Sequence, residues 1–425
     1  MKEKWVALLG GNELNAGFIE ISRSWGAKLA VVDWNEKPAI TGDRHIRLDI
    51  KAADAAVEAV SELPGELLLA YTSADVAAET AARLNASAGM HRSSPEAIVR
   101  AGDKIKMNTA WTDAGLIGKR NCACPTAAKL AEFASDLGTK LIVKPATSSS
   151  SRGITVVEAD EIADTDWPAV FERAQGGSAG HAVLAEEYVQ GTEYTVEMIG
   201  DAHGNVEVWG ISKKYHTAHT IKNRIAVKLH YNAPDVPADT FERIADFAAK
   251  CYRALGLECS LGHMEVLETT DGRLVPVELA ARSSGFIATH LASVLSDEMG
   301  AYIARYREAL NGARLTNGLR TAKRSSMYFF YDPPPGTWQL DDANLMQFLP
   351  KTIQSMAHER RRLQAGATFG RIDTDNERYG FEILCADAGE LRIETVEAAE
   401  AALYAKAIRP EYSGQIGQHE ATTEA

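Results

Sequence analysis

A chain of 425 residues exceeds what one ordinary core organises, so two or three packed units are expected. With 45% hydrophobic and 24% charged residues, it has the composition of a soluble globular protein. No run reaches the roughly 18 apolar residues of a membrane span, and a formal charge of −13 argues against nucleic acid, which needs a basic footprint.

The opening Met1-Lys2-Glu3-Lys4-Trp5 passes directly into a strand-like run and lacks the apolar stretch of a signal peptide, so a cytoplasmic location is expected. Over residues 1–100 strand and helix patterns alternate. Val6–Leu9, Leu29–Asp33 and Leu67–Tyr71 read as strands, and Phe18, Ile21 and Trp25 fall at helical spacing. Alternation of this kind implies a parallel sheet. Gly10-Gly11 followed by Asp33 invites a dinucleotide reading, but Gly10, Gly11 and Gly17 do not match G-x-G-x-x-G, so a scaffold unit that walls a substrate pocket is expected instead.

Ser93-Ser94-Pro95-Glu96 is a helix start, with a capping hydroxyl before a proline suited to the first turn. Helix continues to about 137, interrupted at Pro125. From 141 the pattern turns to β, with runs at 141–143, 154–157, 182–184, 194–196 and 206–209. A four-turn helix from 239 places Phe241, Ile244, Ala248, Cys251 and Leu255 on one face. Strands are expected around Met264 and Val277, a long helix over 286–310, a strand at Ser326–Tyr331 and a last helix near 395–406. Asn311-Gly312 and Asn317-Gly318 mark a boundary, and the polar final dozen residues are expected to be disordered. The division is therefore 1–100, 101–312 with a lid at about 140–200, and 313–425. Cys122, Cys124, Cys251, Cys259 and Cys385 are too scattered for a metal or disulfide framework and read as reduced thiols.

Several short motifs follow one another in order. Asp103-Lys104 opens a helix; Val143-Lys144-Pro145 ends a strand before a serine-rich loop that includes Ser150, Ser151 and Gly153. Next come Glu186-Glu187-Tyr188-Val189, then Glu193, then Gly262-His263-Met264-Glu265, and finally Glu278 and Arg282. A nucleoside triphosphate needs cations, flexible backbone donors and oxygen ligands for Mg²⁺. Lys144 offers a fixed cation, and the loop offers N–H and hydroxyl donors with freedom to close as a lid. Asp271-Gly272 signals a hairpin turn. Counting 6 residues outward on each side reaches Glu265 and Glu278, so the two acids are expected opposite each other, spaced to share magnesium. Arg282 is suited to a phosphate or oxyanion.

This order of motifs resembles the ATP-grasp superfamily over roughly 1–300, and within it most closely the L-amino acid ligases that make dipeptides. The resemblance implies an α/β and α+β fold, with a Rossmann-like pre-ATP-grasp domain ahead of the ATP-grasp domain and a C-terminal mixed subdomain. It implies that Lys104 and Lys144 contact the nucleotide phosphates, that Glu186 to Val189, including Glu187, hold adenine, and that Glu193 holds ribose. Glu265 and Glu278 would bind Mg²⁺, with Mn²⁺ as an alternative, Arg282 would lie by an acyl-phosphate, and His230 would lie near the substrate. ATP and small carboxylate and amine substrates, amino acids foremost, follow from it, as does a homodimer. Many members carry asparagine two residues after the second acid, where this chain has Ala280. A bicarbonate-activating carboxylase and a nucleotide sensor without turnover are the rival readings. Tyr215, His216, His219, Lys222 and Arg224 form a basic cluster suited to an anionic substrate.

Overall fold

The structure is a computed structural model that describes residues 2–147, 153–178, 181–217, 225–285, 288–295, 300–341, 343–370, 372 and 377–410. The polar tail and loop residues Ser150, Ser151, His219, Lys222 and Arg224 lie outside the described residues.

Strands β1 (Lys4–Leu9), β2 (Lys28–Asp33), β3 (Arg44–Arg47) and β4 (Glu66–Thr72) form a parallel sheet in the order β3-β2-β1-β4. Side chains alternate across it. Val6 and Leu8 of β1 join one core with Phe18 and Ile21 of α1 (Gly17–Ser24), whereas Ala7 and Leu9 join another with α2 (Ala53–Ser61) and α3 (Ala78–Ser87). The first of these cores also contains Ile199, Leu261 and Tyr302, which tie this sheet to the rest of the molecule. Asp33 is committed to its own turn: it accepts hydrogen bonds from Gly11 N at 2.7 Å and Asn35 N at 2.7 Å.

Ser94 caps α4 (Pro95–Ala101) by accepting from Ala97 N, and Asp103 caps α5 (Lys104–Asp113) by accepting from Ile105 N and Lys106 N. The expected helix to 137 is broken by strand β5 (Asn121–Cys124), too short to show a period, before α6 (Ala127–Leu137). Strands β6 (Leu141–Pro145), β7 (Thr155–Val157) and β8 (Val183–Glu187), with α7 (Trp167–Gly176), complete a four-stranded antiparallel sheet in the order β5-β8-β6-β7.

The largest sheet has nine strands. It contains β9 (Thr192–Gly200), β10 (Val206–His216), β11 (Ala226–Tyr231), β12 (Leu261–Glu268) and β13 (Leu274–Ala280). One face is covered by α8 (Ala238–Ala254), whose Phe241, Ile244, Ala248, Cys251 and following Leu255 are buried against Val196, Met198, Met264 and Val266. The stretch expected as one long helix contains two, α9 (Ala288–Leu295) and α10 (Ala301–Leu310), the second capped by Gly300 in a left-handed conformation. The remaining strands are β14 (Gly318–Leu319), β15 (Arg324–Phe330), β16 (Gly336–Trp338), β17 (Gln354–Glu359), β18 (Thr368–Phe369), β19 (Phe381–Asp387) and β20 (Ile408–Pro410), with α11 (Ile393–Ala407) before the last. β15, β19 and β17 extend the large sheet in the order β13-β12-β9-β10-β11-β15-β19-β17, and β14 pairs with β10 as the ninth strand among the described residues.

Because α8 backs the strands that carry the acids, Ile244→Ala should destabilise the protein by about 2–5 kcal/mol. Thermal melting checks this, and an unchanged midpoint would contradict the packing.

Candidate active site

On the face of the large sheet opposite α8, polar side chains replace the apolar core. Paired residues on neighbouring strands share a face. Glu265 stands opposite Thr195 of β9 and Glu278 of β13, and His263 stands opposite Glu197 and Ala280. The pairing of the two acids depends on a bulge. Near the turn Glu268 pairs with Leu274 and Val266 with Pro276, a register that would bring Glu265 opposite Val277. The register shifts between Glu265 and Val266, leaving Val277 as the extra residue and bringing Glu278 into place. Pro276, which has no N–H to donate, sits on the edge strand where such an irregularity is tolerated.

Cations and acids alternate along this face. His216 Nε2 lies 3.2 Å from Glu193, Lys214 bridges Glu193 and Glu265 at 2.5 Å each, and Lys104 pairs with Glu278 at 2.8 Å. Burial alone would raise the Glu278 carboxyl, but the Lys104 ammonium, aided by Lys144 and Arg282, holds it at about 2. Burial would likewise lower Lys214 and Lys104, yet their acid partners raise both. Glu193 is held low because Lys214 and His216 outweigh its burial. Glu265 is the undercompensated member: burial raises its carboxyl, and Glu278 and Glu193 add to that effect, outweighing Lys214 and His263.

A second charged group lies on the four-stranded antiparallel sheet. Glu186 is buried and accepts from Lys144 at 2.5 Å, Lys119 at 2.9 Å and Asn108 Nδ2 at 2.5 Å. Burial opposes its ionisation, but the two ammonium groups prevail and hold the carboxyl at about 2. Burial pushes Lys119 down to about 8 despite Glu186. Lys119 also donates to Pro276 O at 2.9 Å, linking this group to the strand that carries Glu278.

Lys104, Gly153, Glu278 and Arg282 line one cavity of about 680 Å³ together with Asp75 and Val76. Gly153 adopts φ +74, and a Cβ there would lie 2.8 Å from Pro145 Cγ, so the loop can approach the end of β6 only as glycine. Lys104 N donates to Ala146 O at 2.9 Å, fastening α5 to the same strand end. Arg282 is held from the N-terminal sheet: Nε and Nη2 donate to Asp75 at 2.7 and 2.8 Å, and Nη1 donates to Ser283 O at 2.8 Å.

The expected residues thus fall into groups. Lys104, Gly153, Glu278 and Arg282 share the cavity, with Lys144 within electrostatic reach of Glu278. Glu193 borders a second cavity of about 610 Å³ with Lys214, Tyr215 and His216. Glu187 accepts from Arg120 N at 3.2 Å, and Val189 follows the end of β8. His230 requires correction. It pairs with Lys213, which pairs with Tyr194, which pairs with Val266, so its ring points to the face opposite Glu265. There it is buried beside the Leu391 backbone, and burial lowers its pKa to about 4. The histidines on the acid face are His216, beside Glu193, and His263, whose Nδ1 lies 2.7 Å from buried Glu197.

The donor set suits magnesium. Among the described residues no group of three or more His, Cys, Asp or Glu is placed to hold a metal ion. A pair of carboxylates, with phosphate oxygens and water completing the shell, is nevertheless how Mg²⁺ binds beside nucleotides, and Glu265 lacks a full counter-charge.

Comparison with known proteins agrees with this architecture. Residues 137–290 match the family model of the ATP-grasp domain. The chain carries an ATP-grasp domain. Over nearly its whole length it shares its fold with the L-amino acid ligase from Bacillus licheniformis, at a TM-score of 0.70 and 18% identity, covering 96% of this chain and 98% of that one. Alanine–anticapsin ligase of Bacillus subtilis is 26% identical over 223 residues, 47% of this chain and 44% of that protein. Pyruvate carboxylase 1 of Caenorhabditis elegans is 28% identical over 193 residues, 44% of this chain and 16% of that protein. The chain spans from 16% to 59% of the length of the curated relatives it matches. Among the described residues no helix is long and apolar enough to cross a membrane.

Glu186→Gln should destabilise the fold by about 3–5 kcal/mol by leaving two buried ammonium groups without their counter-charge. A depressed carboxyl stabilises the folded state above its unfolded value, and that contribution is lost as pH falls from 4.5 toward about 2. Wild type should therefore lose stability more steeply than the variant across that window in pH-dependent melting. Equal slopes would contradict the assignment.

Proposed function

We propose that the protein is an ATP-dependent ligase that joins a carboxylate to an amine, yielding an amide such as a dipeptide or amino-acid conjugate, with ADP and phosphate. The observation that carries this reading is the pairing of Glu265 with Glu278 beside Lys104, on a cavity that Arg282 also lines. First, a substrate carboxylate oxygen bonds to the γ-phosphorus of ATP while the bond to ADP breaks, giving an acyl-phosphate. The amine nitrogen then bonds to the acyl carbon, the bond to phosphate breaks, and the nitrogen gives up a proton.

Lys104 and Lys144 neutralise phosphate oxygens, and Arg282 stabilises the anionic acyl-phosphate. Glu186, Glu187 and Val189 form the hinge beside adenine, with Glu186 fixing Lys144, and Glu193 receives the ribose. Glu265 and Glu278 would hold Mg²⁺, or Mn²⁺ in its place, which when bound supplies positive charge to the transferring phosphoryl group. Ser150, Ser151 and Gly153 donate to the nucleotide phosphates, and exclusion of water protects the acyl-phosphate.

The similarity to pyruvate carboxylase 1 supports a second reading, activation of bicarbonate at the same nucleotide site. Phosphate release from Mg-ATP with amino acids singly and in pairs, followed by mass spectrometry, separates the two. Amide ligation predicts release that depends on a particular pair and a product lighter than their sum by one water. Release with bicarbonate alone would favour carboxylation, and ATP binding without release under any condition would indicate a sensor. Glu278→Gln should reduce phosphate release by about two orders of magnitude or more with the fold intact by circular dichroism. Normal turnover would remove Glu278 from the metal site.

A further inference from the structure

Asp75 enters the cavity at the end of β4, where ligands gather on parallel sheets. Its position is unusual for a chamber that is to receive phosphate and carboxylate groups, because an acid repels both. A guanidinium has five N–H donors, of which Arg282 uses three, two on Asp75 and one on Ser283 O. A carboxylate has about four acceptor positions, and Arg282 takes two of those on Asp75. Two donors and two acceptors thus remain side by side. The side chain of Asp75 is 38% exposed and that of Arg282 only 12%, so the acid is the more accessible half of the pair. Asp75 is also within electrostatic reach of Lys104. Arg282, Lys104 and Arg173 exceed Asp75 and Glu278 by one charge on this cavity, and Asp75 reduces the pull on a simple anion at the Arg282 end. Val76, 51% exposed, adds an apolar surface in the same cavity.

We propose that Asp75 binds the α-ammonium group of the carboxyl-donor substrate, which makes that substrate an α-amino acid, while Arg282 beside it receives the carboxylate oxygens. This inference rests on the amide-ligase reading and narrows it: the acid selects a zwitterion over a plain carboxylate or bicarbonate. Val76 packs against the substrate side chain.

The test compares L-alanine, L-leucine, L-phenylalanine and L-glutamate with propionate, 4-methylpentanoate, 3-phenylpropionate and glutarate, in wild type and Asp75→Asn. Phosphate release from Mg-ATP is measured with one amine acceptor that has no carboxyl group, glycinamide, present throughout, and binding is measured by calorimetry with a non-hydrolysable ATP analogue. In wild type at least one amino acid should exceed its desamino counterpart by about 10–100-fold in kcat/KM, the worth of a charged hydrogen bond. Asp75→Asn should shrink that ratio toward one. Equal use of both acids by wild type overturns the proposal. So does a variant that weakens both acids equally and keeps their ratio, since Asp75 would then only orient Arg282. Amino-acid binding that needs both the ammonium group and Asp75, without phosphate release, would sink the ligase reading and leave the Asp75 assignment standing. Absence of binding by any of the eight acids would overturn the assignment.

Discussion

Lys214 lies between Glu193 and Glu265, one ammonium serving two half-buried carboxylates. Around it the face of β10, β9, β12 and β13 is organised as a row of alternating charge that ends at Glu278 and Lys104. Such a row is costly to bury and persists only where each group has a partner. One acid, Glu265, has less counter-charge than it needs. On the proposed function, this is where a magnesium ion would sit beside the transferring phosphoryl group.

The backbone serves that row at two points. The bulge at Val277 turns Glu278 to face Glu265, and Lys119 ties Glu186 to Pro276 next to that bulge. The N-terminal sheet contributes Asp75 to the opposite wall and packs on the large sheet through Ile199 and Leu261. Glu186, the paired acids Glu265 and Glu278, and Asp75 are thus joined by a few contacts across three sheets.

Much of this was legible in the sequence where the signal is local. The turn at Asp271-Gly272 made the Glu265–Glu278 pairing countable, although the structure reaches it through a shifted register rather than a symmetric turn. Helix α8 announced itself through its apolar spacing, and Ser94 through its capping. Residues that meet only through long-range pairing gave no such signal. Lys214 becomes relevant when β10 lies beside β9, Lys119 when the loop after α5 reaches Glu186, and Asp75 when two sheets dock. His230 was misplaced because linear distance from Glu265 says nothing about which face of a strand a side chain takes. Strand β5, with only Asn121–Cys124, is too short to declare a period.

The central claim, that a carboxylate is activated by phosphorylation on this sheet, is tested most directly by following oxygen. An amino-acid mixture labelled with oxygen-18 in its carboxyl groups is turned over with Mg-ATP, and the released phosphate is analysed by mass spectrometry. Attack by the carboxylate and later loss of phosphate from the acyl carbon carry one labelled oxygen into each phosphate formed during ligation. Ligation accompanied by unlabelled phosphate would mean that no acyl-phosphate forms, and the role assigned to Glu265, Glu278, Lys104 and Arg282 would fall with it.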